Sequence, residues 1–228
     1  KDLQILIKFL KAWKYFHRFN KEGNALARKE IDEIMKLDDK ISFAYTFLGF
    51  IYLHDIYYGA CDSSIVCFGQ ATEAARRALS LDENNHKAHQ LTGYIFLMRK
   101  EYENAINEIK RSIDLNPNCA DCYLVLGQTY WSSDRAHDAL GYINKAFLLN
   151  PKPPSNYYND LGFVYLFTNE YENAIVAFKK AIAIEPNDIF SHLGLTAVYA
   201  MSGREKDAKI VGLDVLKIDP TFSIKKFT

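Results

Sequence analysis

Six residues of this chain have types and spacings that could do chemistry. Cys119 and Cys122 stand in the stretch CADC, and Cys61 and Cys67 lie within HDIYYGACDSSIVCFG at 54–69. Joined, the two pairs could form a four-thiolate zinc site. Alone, CADC could be a redox dithiol, because a helix N-terminus lowers the pKa of a thiol. Against zinc, the pairs fall at different places in the sequence pattern, and the spacing of Cys61 and Cys67 is wider than a usual zinc knuckle. Against redox work, the surrounding pattern is helical rather than the strand–helix unit of a dithiol oxidoreductase. Reduced structural thiols are the reading this favours. His86 and His89 have the i, i+3 spacing of two metal ligands, but polar side chains at their positions commonly face solvent. There is no Gly-rich phosphate loop, no Gly-x-Ser-x-Gly and no His-Glu-x-x-His, and no pair of acids stands out as a dyad. The expectation is a chain with no catalytic residue, no cofactor and no metal.

Composition narrows the partners. The chain has 228 residues, 49% of them hydrophobic, which is ample for a core. Lys plus Arg and Asp plus Glu are 28 each, so charge offers no argument for nucleic acid or an anionic membrane surface. Lys8 and Lys11 interrupt the apolar opening KDLQILIKFLKAW, which is not a signal peptide. The run ISFAYTFLGFIYLH at 41–54 is too short to span a bilayer and reads as a buried helix. A cytoplasmic location is expected. The absent initiator Met and the ending SIKKFT suggest a piece of a longer protein.

The elements that must position any site repeat along the chain. EYENAI occurs at 101–106 and again at 170–175, with a degenerate copy in RAHDALGYINKAF between them. Ala105, Ala139, Ala174 and Ala208 form one series, and Pro117, Pro151, Pro186 and Pro220 another, at intervals of 34, 35 and 34. The extra residue falls in the proline-rich NPKPPSN. A Leu-Gly-x-x-Tyr step recurs at Leu48-Gly49, Leu126-Gly127 and Leu161-Gly162, with weaker copies at Thr92-Gly93 and Leu195-Thr196. Gly and Ala let helices approach closely, aromatics fill the space between repeats, and proline ends the second helix. Period and signature resemble the tetratricopeptide repeat, a helix–turn–helix unit. The resemblance implies an all-α fold, a right-handed superhelical solenoid of about six repeats in one domain over 1–228. The frame gives 8–41, 42–85, 86–119, 120–153, 155–188 and 189–222. The second is about ten residues too long, with its surplus at 54–69, where Gly59, Asp62 and Ser63 predict a turn and a helix N-cap.

In such a stack the first helix of each repeat lines a concave groove. The inward positions include Phe43, Phe50, His54, Lys87, Gln90, Tyr94, Met98, Asp121, Gln128, Trp131, Asn156, Asn159, Phe163 and Phe167. This apolar groove with a few polar groups suits an amphipathic helix or an extended peptide. Trp131 is the expected anchor, flanked by Met98 and Phe167. The clustered Lys, Arg and Asn that grip a C-terminal carboxylate in chaperone-type repeats do not recur.

Three stretches carry a narrower likeness: YFHRFNKEGNALARKEIDEIMKLDDKISFAYTFLGFIYL, NPKPPSNYYNDLGFVYLFTNEYENAI and IDPTFSIKKF. Together they resemble the C-terminal tetratricopeptide region of bacterial class III adenylate and guanylate cyclases and related signalling proteins. The resemblance implies a regulatory docking module whose catalytic domain lies upstream of Lys1, and it carries no catalytic residue into this chain. A self-assembling architectural scaffold, with homo-oligomers, or a stand-alone adaptor is the alternative.

Overall fold

The computed structural model describes residues 1–18 and 20–223. The end of the IDPTFSIKKF stretch, from residue 224, lies outside the described residues. Among those described, the chain forms twelve α-helices and no strand. In order they are α1 (Asp2–Phe16), α2 (Lys21–Leu37), α3 (Ser42–Tyr57), α4 (Ser64–Leu81), α5 (His86–Met98), α6 (Tyr102–Leu115), α7 (Ala120–Ser132), α8 (Ala136–Leu149), α9 (Ser155–Phe167), α10 (Tyr171–Ile184), α11 (Ile189–Met201) and α12 (Glu205–Ile218). Consecutive helices pack as pairs, α1 with α2 through α11 with α12. The chain divides into two compact units, Lys1–Pro117 with α1 to α6 and Asn118–Thr228 with α7 to α12.

The repeated residues do what their sizes allow. Ala105, Ala139 and Ala174 are wholly buried. Each Leu-Gly glycine marks a point where a side chain of a neighbouring helix touches the backbone. A Cβ at Gly93 would stand 2.6 Å from Ile109, one at Gly127 2.6 Å from Ile143, and one at Gly162 2.7 Å from Phe178. Contacts under 3 Å do not occur in packed proteins, so the glycine sets how near the two helices of a pair can lie. The last pair reverses the arrangement. Thr196 stands where the others have glycine, and Gly212 stands where they have Ile or Phe; a Cβ at Gly212 would meet Thr196 at an ordinary 3.7 Å. In the second pair Ala75 occupies the bulky place, and Leu91 of α5 fills the space beside Gly49.

The turns inside the pairs have their own period. Lys100, Asp134, Asn169 and Gly203 all adopt positive φ, between 60° and 77°. After each, the next N–H donates back to a carbonyl five residues earlier: Glu101 to Phe96, Arg135 to Tyr130, Glu170 to Tyr165 and Arg204 to Tyr199, at 2.8–3.0 Å. This is the left-handed helix stop that satisfies the orphan carbonyls of a C-terminus. Between pairs, Pro117, Pro151 and Pro186 each come two residues after a helix end.

The surplus of the second repeat is absorbed in three places. α3 is three residues longer than α5, α4 is four longer than α6, and the connection takes the remainder. Gly59 turns there with φ of 59°, and Ser63 is the N-cap of α4, without a side-chain cap bond. The reading of the cysteines as reduced thiols is corrected: Cys61 is bonded to Cys67, and Cys119 to Cys122. The reason is local. Cys119 is the N-cap of α7 and Cys122 lies in its first turn, while Cys67 opens α4 just after the loop that carries Cys61. Cα separations of 5.3 and 6.4 Å suit a disulfide. Closed in this way, neither pair offers a thiolate to a metal.

Candidate functional site

Within Asn118–Thr228 the expected inward residues gather on α7 and α9, which pack side by side. The Trp131 ring stacks on Phe163 at 5.1 Å and 16°, and on Phe167 at 5.6 Å and 19°. Phe163 is half-buried and meets the wholly buried Phe178 edge-on at 5.1 Å. Phe167 is 55% exposed. The arrangement is a graded aromatic surface, fixed to the core through Phe163 and open at Phe167. Rings in this state offer large contact area with little side-chain entropy left to lose.

A carboxylate lies beneath the stack. Asp160 of α9 is buried, and burial raises its pKa to about 7, a rise that the neighbouring Trp131 indole N–H opposes. Trp131 Nε1 is itself buried and meets no acceptor within ordinary hydrogen-bond geometry, so its N–H helps Asp160 only as a nearby dipole. Sequence reasoning passed over Asp160. Its signal was there: it is the sole charged residue of SNYYNDLGFVYLF, and a lone acid in an apolar helix is an expensive residue to bury.

The polar members of the expected groove are differently engaged. Asn159 donates from Nδ2 to Asp188 Oδ2 at 2.9 Å and to Ser191 Oγ at 3.1 Å, tying α9 to α11. Asp121 accepts from the hydroxyl of buried Tyr157 at 2.8 Å; burial and this carboxylate together push the phenol pKa up. Gln128 is half-buried, and Asn156 is exposed.

Within Lys1–Pro117 the members are Phe43, Phe50, His54, Gln90, Tyr94 and Met98. Phe43 and Met98 are exposed, and Phe50 and Tyr94 are half-buried against the α3–α5 cluster. Gln90 is buried and accepts from Lys87 Nζ at 2.9 Å. His54 stacks on Phe16 at 4.4 Å and 17°, and its Nδ1 is buried without a hydrogen-bond partner. Burial, with His17 nearby, pushes its pKa down to about 4. His54 is thus a neutral packing ring at physiological pH. Of the two spaced histidines, His89 is engaged through both ring nitrogens, while His86 Nδ1 is buried without a hydrogen-bond partner. His89 bonds Glu108 Oε2 at 2.7 Å and the Glu83 carbonyl at 2.9 Å, and His86 Nε2 lies 3.4 Å from Asn116 Nδ2. They join α5 to α6 rather than face solvent together.

A shallow open depression of about 680 Å³ lies on α7 and α8, lined by Tyr123, Tyr130, Arg135, Asp138, Tyr142 and Lys145. Three of its groups are paired: Tyr130 stacks on Tyr142 at 5.0 Å, and Arg135 lies over Tyr130 at 4.4 Å. No described helix is long and apolar enough to cross a membrane.

Residues 155–188 match the family model described as tetratricopeptide repeat, and residues 68–146 match that of anaphase-promoting complex, cyclosome, subunit 3. A TPR repeat-containing protein of Methanocaldococcus jannaschii is 22% identical over 181 residues, 74% of this chain. The chain spans about a third, 32%, of that relative. Among solved structures, the anaphase-promoting complex hetero-tetramer Cut9–Hcn1 matches with a TM-score of 0.74 at 16% identity, over 98% of this chain and 45% of the other. YrrB, described as a TPR protein with an unusual peptide-binding site, matches with a TM-score of 0.52 at 16% identity, over 84% and 93%.

Proposed function

We propose that this chain of tetratricopeptide repeats is a docking module that binds an amphipathic helix or extended segment of another protein, with Trp131, Phe163 and Phe167 as the anchor. The observation that carries the reading is the three-ring stack on α7 and α9, rooted in the core at one end and more than half exposed at the other. Such rigid aromatics concentrate binding energy at interfaces. YrrB, of the same fold, is described with a peptide-binding site, which supports a similar use here. Fixed Asn159 and buried Gln90 leave the aromatics rather than the amides as the recognition surface.

The likeness of three sequence stretches to cyclase-linked regions supports a finer reading, in which the module regulates a nucleotide cyclase or a related signalling domain encoded upstream of Lys1. Sequencing that upstream frame tests it: a class III cyclase domain supports it, and a start codon directly before Lys1 rejects it.

The test of the docking site is Phe167→Ala. At 55% exposure its loss should leave the melting temperature nearly unchanged. Affinity for a partner isolated from the source organism should fall tenfold or more by calorimetry, about 1.4 kcal/mol. Full affinity in a folded Phe167→Ala variant removes the stack from the site.

A further inference from the structure

Charge is sorted by helix within Asn118–Thr228. The expected groove there belongs to α7, α9 and α11, and α9 packs against both of the others. Their charged side chains are Asp121 on α7 and Asp160 on α9, with Asp188 as the N-cap of α11, and none of the three helices carries a Lys or Arg. The basic residues stand on the other row: Lys145 on α8, Lys179 and Lys180 on α10, and three lysines on α12. His192 of α11 is buried, with Nδ1 2.9 Å from the Asp188 carbonyl.

Two features make this bias matter at the ring stack. Asp160 is 8% exposed beside Trp131, and what acts on its carboxyl is burial and the indole, with no cation among them. An ionised carboxylate so placed lacks positive charge, and a cation brought near it gains more than at a wet surface. Trp131 and Phe167 are themselves receptors for a cation, because the face of an aromatic ring is negative. Phe167 is 55% exposed, so the stack is open where an ammonium or guanidinium would lie. An acidic segment would meet the exposed Asp121 and the negative ring faces, and no basic side chain of the three helices would offset its lost water.

We propose that the segment held by the stack is basic, with a Lys or Arg beside its apolar anchor that lies against the Trp131 and Phe167 rings within the field of Asp160. This rests on the docking reading above and names the chemistry of its partner. The apolar side chains of the segment take the rings, and its cation answers the acid beneath them.

Selection of random peptides of about twelve residues on the full chain tests it, with folded Phe167→Ala as the counter-screen. Peptides that bind the wild type and not Phe167→Ala are those held by the stack. The expected result is a Lys or Arg within about one helical turn of an aromatic or aliphatic residue in these peptides. Replacing that residue by Gln should weaken binding roughly fivefold or more at about pH 8, where Asp160 is ionised. In a chain carrying Asp160→Asn the same replacement should cost about twofold or less, a coupling that a double-mutant cycle reads directly. Should Asp160→Asn fail to fold, Asp160→Leu, apolar and of similar branched shape, takes its place in the cycle. Glu172→Gln, exposed on α10, should leave affinity unchanged. Stack-dependent peptides without a basic residue overturn the inference and leave the docking reading standing. So does a basic residue whose replacement costs the same with and without Asp160, or an affinity that Glu172→Gln lowers as much as Asp160→Asn does. A selection in which no peptide depends on Phe167 overturns both.

Discussion

At the scale of single residues Asp160, next to Trp131 of the proposed docking site, makes stability depend on pH. A carboxylate raised to about 7 in the folded chain, from an ordinary value near 3.8, holds its proton more tightly when folded than when unfolded. Its contribution to stability is therefore greatest below about pH 4, is lost as pH rises from about 4 to about 7, and is level above that. His54, pushed down to about 4 from 6.5, acts in the opposite sense: its contribution is full above about 6.5 and is lost as pH falls toward 4. The two partly cancel between 4 and 6.5, so the wild-type profile hides both. Asp160→Asn should uncover the histidine term. Denaturant melts of this variant should show it more stable than the wild type at pH 8, by on the order of a few kcal/mol, with most of that gain gone at pH 4. Equal gains at both values would mean that Asp160 does not titrate where its burial places it. Part of this was legible, since Asp160 is the sole charged residue of an apolar helix, but only packing tells that Asn159 is spent on Asp188 and Ser191 and that each cysteine closes on its near neighbour.

At the scale of elements the sequence was far more readable, because close approach of helices leaves a size signature. Gly93, Gly127 and Gly162 each sit under a bulky side chain of the paired helix, and the glycine period announced this. Gly127→Ala makes the claim measurable. Its new methyl would press on Ile143 at 2.6 Å, and the pair would have to part, costing about 1–3 kcal/mol in a chemical melt. A neutral effect would mean that the helices have room they are not seen to have. The same logic explains what the glycine period missed. Thr196 broke it, yet Gly212 restores the fit from the opposite helix, so a pair needs one small and one large residue, in either order. The left-handed turns went unseen for a different reason. Lys100 and Asp134 hold the same positive φ as Gly203, and nothing in a lysine announces it; the backbone bond to the carbonyl five residues back imposes it.

At the scale of the whole molecule, the twelve described helices pack in pairs, residues 155–188 match the tetratricopeptide repeat model, and the formal charge is zero. One of its surfaces, the ring stack of α7 and α9, is the proposed place of a segment of another protein. The most direct measurement of the central claim is hydroxyl-radical footprinting of the chain with and without its isolated partner, read by mass spectrometry at single side chains. The account predicts that Phe167 and Trp131 lose reactivity together on binding, while Tyr123 and Tyr142 of the open depression on α7 and α8 keep theirs. Unchanged reactivity at Phe167 and Trp131 in the saturated complex would contradict it.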